Sequence, residues 1–236
     1  MKQTNQAAPY TSVTAHGTAH TFSINSVLPL LGIFLPVLLF CALAIDIKND
    51  VGYALDASIL LALHAYATPL LDNIALKVSA AVTAISLLVL AFLVIKRKWY
   101  VLTFWLLTVG GSAILNITVK HIVQRHRPAL WNLVAPESTF SFPSGHAMQA
   151  MTLALGLVFL LRNAHHLRNI AVVATIFVAL VGVCRMYLGL HYPSDIAASS
   201  LLSLAWVTSV IMLFDQSRLF ITTPGDNFPS GKYRHA

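Results

Sequence analysis

The sequence predicts an all-α, polytopic membrane protein with six transmembrane helices and an interfacial amphipathic segment between the first two. Only 10% of its 236 residues are charged, whereas a soluble domain carries about 25% charged residues. The apolar residues, 57% of the chain, form long runs rather than one-sided stripes, and the mean hydropathy is +0.75. A helix of about 20 apolar residues crosses the hydrocarbon core of a bilayer. Six runs reach or approach this length: residues 27–45, 78–95, 100–119, 147–161, 170–188 and 196–214.

A further apolar stretch, residues 54–71, contains Asp56, His64 and Pro69. These residues disfavour a buried span, so we interpret the stretch as an amphipathic segment at the membrane interface. If it crossed the bilayer instead, the N-terminus would lie on the other side. The chain is thus divided into a polar N-terminal tail (residues 1–26), a six-span domain (residues 27–214) and a C-terminal tail (residues 215–236).

The distribution of charge predicts the orientation of the spans. In a six-span arrangement the following basic residues of connections and tails share one side: Lys2, Lys96, Arg97, Lys98, Arg162, Arg168, Arg218, Lys232 and Arg234. The opposite loop, residues 46–77, contains four aspartates and only two lysines. Because Lys and Arg favour cytoplasmic connections, we predict a multi-pass inner (plasma) membrane protein with both termini in the cytoplasm. The same distribution accounts for the net charge of +7 without a nucleic-acid partner.

Three short polar segments interrupt the apolar pattern: residues 120–128 after the third span, 142–146 before the fourth, and 184–195 between the fifth and sixth. Because the fourth and fifth spans carry the chain across the membrane and back, all three segments fall at one face. That face lies opposite the basic connection at residues 96–98. We therefore predict one convergent site that faces the periplasm or exterior.

The cations of these segments indicate a phosphate site. Lys120, Arg127 and Arg185 place three positive charges at the membrane edge, where charge is costly and usually functional. Arginine binds phosphate oxygens in a bidentate way, and lysine acts as a point charge. Ser144 and Gly145 precede the fourth span, so the backbone N–H groups of that helix start would point at a bound anion.

Two histidines face the predicted anion site. Asp195 lies four residues after His191 and can hold that ring through one nitrogen, which leaves the other nitrogen free to attack phosphorus. His146 has no such carboxylate nearby in sequence and suits a general acid that protonates the leaving oxygen.

Less specific interpretations apply to other polar residues. Arg125, His121 and His126 are explained equally well as interfacial anchors. Several histidines and a carboxylate near one face could bind a metal, but the neighbouring cations would repel a divalent ion, so we predict neither a metal nor another cofactor. The cysteines, Cys41 and Cys184, lie in or beside separate apolar runs and predict no disulfide framework.

The three segments resemble a known family. Lys120-x6-Arg127-Pro128, Pro143-Ser144-Gly145-His146 and Arg185-x5-His191-x3-Asp195 match the signature motifs of the type 2 phosphatidic acid phosphatase superfamily, and the resemblance covers residues 27–214. It implies that Lys120, Arg127, Ser144, Gly145 and Arg185 bind phosphate. It also implies that His146 is the acid, His191 the nucleophile and Asp195 its partner. Cys184 stands where the family usually has serine, and a thiol is a weaker hydrogen-bond donor.

The resemblance implies metal-independent hydrolysis of a lipid phosphate or diphosphate through a phosphohistidine at the outer membrane face. The short chain favours undecaprenyl diphosphate as substrate, while phosphatidylglycerol phosphate, phosphatidate and a lipid A phosphate stay open. A lipid phosphotransferase could use the same site, because the acceptor leaves no mark in the motifs. An anion transporter is disfavoured, since no ionisable residue lies at the middle of a span. The expected partners are the bilayer and its lipid phosphates, and the oligomeric state is left open.

Overall fold

The computed structural model describes Val27 and residues 29–217, and every regular element in this part of the chain is helical. Within these described residues seven helices follow one another: α1 (Leu30–Lys48), α2 (Tyr53–His64), α3 (Pro69–Ile95), α4 (Trp99–Val123), α5 (Gly145–Leu160), α6 (Leu167–Tyr187) and α7 (Pro193–Ser217). The predicted N-terminal tail, residues 1–26, and the tail cations Lys2, Arg218, Lys232 and Arg234 lie outside the described residues. Residues 215–217, predicted as tail, form the end of α7.

Five of the helices, α1, α3, α4, α6 and α7, are long and apolar enough to cross a membrane. The prediction of an all-α, polytopic membrane protein is therefore confirmed. The predicted fourth span corresponds to α5, which is apolar but has only 16 residues. At 1.5 Å per residue it is about 24 Å long, which is shorter than the roughly 30 Å hydrocarbon core.

The boundary between α2 and α3 corrects the sequence prediction. Residues 54–71 were expected to form one interfacial segment, but α2 ends at His64 and α3 begins at Pro69 rather than at residue 78. The hydroxyl of Thr68 accepts a hydrogen bond from the backbone N–H of Leu71 (3.3 Å) and caps α3. Pro69 occupies the first helical turn, where its missing N–H costs nothing. The proline that suggested an interruption thus starts the next helix.

Helix α5 lies at the centre of the bundle, where it packs most extensively against α6 and α7. Its residues Ala147, Met148 and Ala150 are all buried. A hydrogen bond between the hydroxyls of Ser112 and Thr152 (3.0 Å) ties α4 to α5. The short helix is therefore supported on several sides, and its N-terminus is held firmly at one end of the bundle.

Close contact between α4 and α7 depends on one glycine. A Cβ atom at Gly111 would lie 2.2 Å from the Trp206 ring, so no larger residue fits without a shift. The Trp206 indole N–H donates to the carbonyls of Leu107 (3.2 Å) and Thr108 (3.1 Å), which lie in a π-helical turn of α4. Small residues allow such close helix packing where lipid gives no hydrophobic driving force.

Candidate active site

The three polar segments converge at one end of the helix bundle. The first leaves the C-terminal end of α4, the second begins α5, and the third joins the end of α6 to the start of α7. Two of the side chains that the sequence singled out, Arg127 and Asp195, thereby lie beside one buried imidazole, that of His191.

The imidazole of His191 is 1% exposed and is held from both sides. Its Nδ1 lies 2.8 Å from the Ser141 carbonyl oxygen, and its Nε2 lies 3.2 Å from Nη1 of Arg127. Because a carbonyl only accepts and a guanidinium only donates, Nδ1 carries the proton and the lone pair of Nε2 accepts from Arg127. Burial lowers the pKa of His191 to about 4, with Arg185 and Arg127 acting in the same direction and Asp195 opposing them. The ring is therefore neutral at pH 7.

Asp195 does not hold His191 in the way its spacing suggested. Its Oδ2 lies 3.6 Å from Nδ1 of His191, which is beyond hydrogen-bonding distance. The same oxygen accepts a short hydrogen bond from the Ser141 hydroxyl and one from the backbone N–H of Tyr192 (2.9 Å). The Ser141 backbone N–H in turn donates to the Arg125 carbonyl (2.8 Å). Ser141, which sequence reasoning missed, thus connects the carboxylate to the imidazole.

Two predicted phosphate ligands, Arg127 and Arg185, meet at Glu137. Nη2 of Arg127 lies 2.6 Å from Oε2 of this carboxylate, and Nη2 of Arg185 donates a short hydrogen bond to its Oε1. Partial burial favours the neutral acid, but the Arg185 and Arg127 guanidiniums outweigh it and lower the pKa of Glu137 to about 2. We call these three residues the front cluster. Sequence analysis missed Glu137, although it is the only glutamate in the chain and lies between two of the polar segments.

The other predicted site residues lie around this cluster. Nζ of Lys120 donates a short hydrogen bond to the Phe140 carbonyl. Ser144 is fully buried and caps α5, because its hydroxyl accepts from the N–H of Ala147 (3.5 Å). Gly145 starts α5, and a Cβ atom there would lie 3.3 Å from Oδ1 of Asn116. His146 follows in the first turn, half-buried and near enough to Arg185, Glu137, Arg127 and Lys120 to feel their charges.

A second group of charges lies behind the imidazole. Arg125 donates from Nη1 to Oδ1 of Asp195 (2.6 Å) and from Nη2 to Oδ2 of Asp56 (2.8 Å), and it stacks on the Tyr192 ring at 3.9 Å. The side chains of Arg125, Asp56 and Asp195 are 12%, 7% and 0% exposed. We call these three residues the rear cluster.

The rear cluster changes the interpretation of two residues. Arg125 was explained as an anchor and Asp56 as an interruption of an apolar segment, yet Asp56 is buried and pairs with Arg125, whose side chain is only 12% exposed. Asp56 also accepts a hydrogen bond from the backbone N–H of Ser194 (3.1 Å), which fixes α2 to the start of α7. The available sequence signal was a carboxylate inside an apolar run, where an unpaired charge is unfavourable.

Cys184 lies in apolar surroundings. Cys184 is buried in an apolar cluster with Ala75, Leu188 and Leu190, and both cysteines are free. Within residues 29–217, no three histidine, cysteine or acidic side chains form a group that could hold a metal ion.

Sequence comparison assigns the chain to a family. The PAP2 superfamily matches residues 101–219, which is half of the chain and includes all three polar segments. The chain belongs to the PAP2 superfamily. The resemblance that the three motifs predicted is thereby confirmed, while Asp56 of the rear cluster lies outside the matched region.

This PAP2 chain is similar to two curated proteins named phosphatidylglycerophosphatase B. The Bacillus subtilis protein is 34% identical over 105 residues, which cover 42% of this chain and 51% of the relative. The Haemophilus influenzae protein is 39% identical over 83 residues, which cover 33% of this chain and 34% of the relative. The chain thus matches about half of the length of the first relative and about a third of the second.

Two crystal structures share the fold of this PAP2 chain. The transmembrane PAP2 type phosphatidylglycerolphosphate phosphatase from Bacillus subtilis has a TM-score of 0.70 and 26% identity, over 80% of this chain and 96% of the other. LpxE from Aquifex aeolicus has a TM-score of 0.57 and 25% identity, over 67% of this chain and 95% of the other. The arrangement of helices is therefore that of membrane PAP2 proteins.

Proposed function

We propose that this protein hydrolyses the terminal phosphate of a membrane lipid through a phosphohistidine intermediate. The observation that carries the proposal is the neutral, buried His191, whose Nε2 lone pair faces the guanidinium of Arg127 at 3.2 Å. A nucleophile aimed at cations can attack a phosphoryl group that those cations bind, since they stabilise the charge that develops on its oxygens.

The proposed reaction has two steps. Nε2 of His191 attacks phosphorus and displaces the lipid oxygen, which takes a proton from the imidazolium form of His146. Water then attacks the phosphohistidine with His146 as base, which releases orthophosphate and restores both histidines. Asp195 balances the positive charge of the phosphorylated ring, acting across the 3.6 Å gap and through Ser141.

We propose that Lys120, Arg127, Arg185 and the α5 start at Ser144 and Gly145 bind the phosphoryl oxygens. Three cations and a helix N-terminus near one nucleophile support this assignment. The names of the relatives favour phosphatidylglycerol phosphate as the first substrate to test. Undecaprenyl diphosphate, the substrate favoured in the sequence analysis, is the second.

We also propose that α5 completes a six-span domain over residues 27–214, with α2 at the outer interface and the site facing the periplasm of an inner membrane. The basic connections at residues 96–98 and 162–168 support this orientation. A reporter enzyme that works only outside the cytoplasm should be inactive when fused near Arg97 and active when fused near Ser138. The opposite pattern would reject the six-span arrangement.

The hydrolase proposal is tested with purified protein in detergent and a panel of lipid phosphates and diphosphates. Orthophosphate should be released from at least one lipid, and His191→Ala should abolish release almost completely. His121→Ala, which removes an exposed imidazole at the end of α4, is the matched control and should stay active. Acid-quenched protein should carry acid-labile phosphate on His191.

Other outcomes would identify the alternatives. Label that passes from the protein to a second lipid would indicate a phosphotransferase. Substrate binding without any transfer of phosphate would favour a transporter. Full activity of His191→Ala would falsify the nucleophile assignment.

A further inference from the structure

The carboxylate of Glu137 lies where the proposed function requires a phosphate. Each of its oxygens takes a hydrogen bond from a different guanidinium, Oε2 from Arg127 at 2.6 Å and Oε1 from Arg185. Arginines bind a phosphate group in the same way, by donating hydrogen bonds to adjacent oxygens of the anion. The two arginines thus already hold an anion, supplied by the chain itself.

The site has donors that this carboxylate does not use. Among the described residues, the buried Nε of Arg185 has no hydrogen-bond partner. An unsatisfied buried donor is unfavourable and points to a missing acceptor. A phosphate group has more acceptor oxygens than a carboxylate. It can therefore accept from the guanidinium groups that now bond to Glu137 and also from Nε of Arg185.

The carboxylate is also the most exposed member of the front cluster. The Glu137 side chain is 33% exposed, whereas those of Arg127 and Arg185 are 9% and 3% exposed. Arg127 is anchored independently by the carbonyls of Leu190 and Thr139, each at 2.7 Å. Glu137 can therefore turn toward water while the guanidinium of Arg127 stays in place.

We propose that Glu137 is an internal ligand of the phosphate site, which every bound phosphate must displace and which returns when orthophosphate leaves. This inference rests on the proposed function in assigning Arg127 and Arg185 to phosphate. An internal competitor reduces the fraction of protein that is free to bind, and apparent affinity falls by that fraction whatever the ligand. Glu137 therefore weakens the binding of all anions by one common factor, which favours release of the product from a strongly cationic site.

The test is direct binding of three inorganic anions, orthophosphate, vanadate and sulfate, to purified protein by calorimetry. Glu137→Gln keeps the size of the side chain and removes its charge. It should lower the dissociation constants of all three anions by the same factor, on the order of tenfold to a hundredfold, because one or more charge-assisted hydrogen bonds no longer compete. Glu137→Ala should act in the same direction, and melting temperatures verify that both variants fold.

The matched control is Asp50→Asn, which removes a carboxylate at the same end of the bundle, beside Arg125 and Tyr192 and outside the front cluster. Its dissociation constants should stay within about twofold of wild type, since exposed charges at a distance are screened. An equal shift in this control would overturn the proposal.

Two further results would also overturn it. Unchanged or weaker binding in both Glu137 variants would mean that the carboxylate orders the arginines instead of competing for them. Unequal factors for the three anions would mean that Glu137 still contacts the bound ligand. Because binding needs no turnover, tighter binding in a protein that releases no phosphate from any lipid would reject the proposed hydrolysis and leave the role of Glu137 intact.

Discussion

The front and rear clusters are built from the same chemical groups in opposite proportions. In the front cluster two guanidiniums share one carboxylate, and that carboxylate is 33% exposed. In the rear cluster one guanidinium shares two carboxylates, and no member is more than 12% exposed. The front cluster therefore has a surplus of positive charge on its open side, and the rear cluster has a surplus of negative charge that is closed off from water. The first can exchange its anion, whereas the second is a fixed support.

His191 lies between these two opposite surpluses. Its Nε2 points to the front cluster, and its Nδ1 points to the Ser141 carbonyl, which the rear cluster holds in place. In the proposed reaction, negative charge develops on the phosphoryl group in front while positive charge develops on the ring. Each charge would then face a cluster of opposite sign that needs little rearrangement, which is the condition for efficient electrostatic stabilisation.

We expect the largest losses of activity from substitutions on the phosphate-binding side of His191. Arg127→Ala should lower kcat/KM by about 10²–10³ for every substrate, because it removes charge stabilisation at the phosphoryl group.

The loss of activity in His146→Ala should instead depend on the leaving group. An alkoxide needs a proton when it leaves, so monoester hydrolysis should fall by about 10²–10⁴, whereas a diphosphate expels a phosphate with a second pKa of about 6 and should lose far less.

Orthophosphate release from phosphatidate and undecaprenyl diphosphate measures both variants. Equal losses for His146→Ala on the two substrates would mean that His146 binds phosphate or supports the fold, and His126 would become the next candidate for the acid.

The rear cluster should affect stability as well as rate. Arg125→Ala leaves Asp56 and Asp195 buried without a counter-charge, and breaking such a group costs about 3–5 kcal/mol of folding stability. Arg125→Lys keeps the charge but lacks the planar fork that reaches both carboxylates, so it should restore only part of the loss. Melting temperature and orthophosphate release are measured together, with Arg168→Ala as an exposed control. An Arg125→Ala protein that melts normally would show that the rear cluster is not a support.

The smallest effect is a shift in the pH profile. Because burial lowers the pKa of His191 to about 4, the imidazole loses its nucleophilic lone pair only as the pH falls through that value. The acidic limb of the kcat/KM profile, corrected for substrate ionisation, should therefore lie at strongly acidic pH. Arg127 lowers this pKa and Asp195 raises it. The residual activity of Arg127→Ala should thus decline at higher pH than wild type, and that of Asp195→Asn at lower pH. Shifts of the same sign in both variants would contradict the division into two opposed clusters.

Local features of the sequence were sufficient to predict the membrane class, five of the long helices and the family. Long apolar runs leave a helix as the only open-chain structure that satisfies its backbone in lipid, so length and composition decide the element. The boundary at Pro69 was missed because a capping threonine and a proline at a helix start resemble a break within an apolar run. Both signals were present, but only the neighbouring backbone distinguishes a start from an interruption.

The sequence by itself determined which motif side chains are candidates for the chemistry, since the motifs place charged residues where lipid would otherwise exclude them. Only the tertiary structure decided how they pair. Asp195 is four residues from His191, yet the imidazole proton goes to a carbonyl 50 residues away at Ser141. Glu137 and Arg185 are separated by 48 residues, and Asp56 and Arg125 by 69. Spacing along one helix limits which residues share a face, but a hydrogen bond is decided within a few tenths of an ångström. Those distances are set by how the helices pack, which no local pattern in the sequence records.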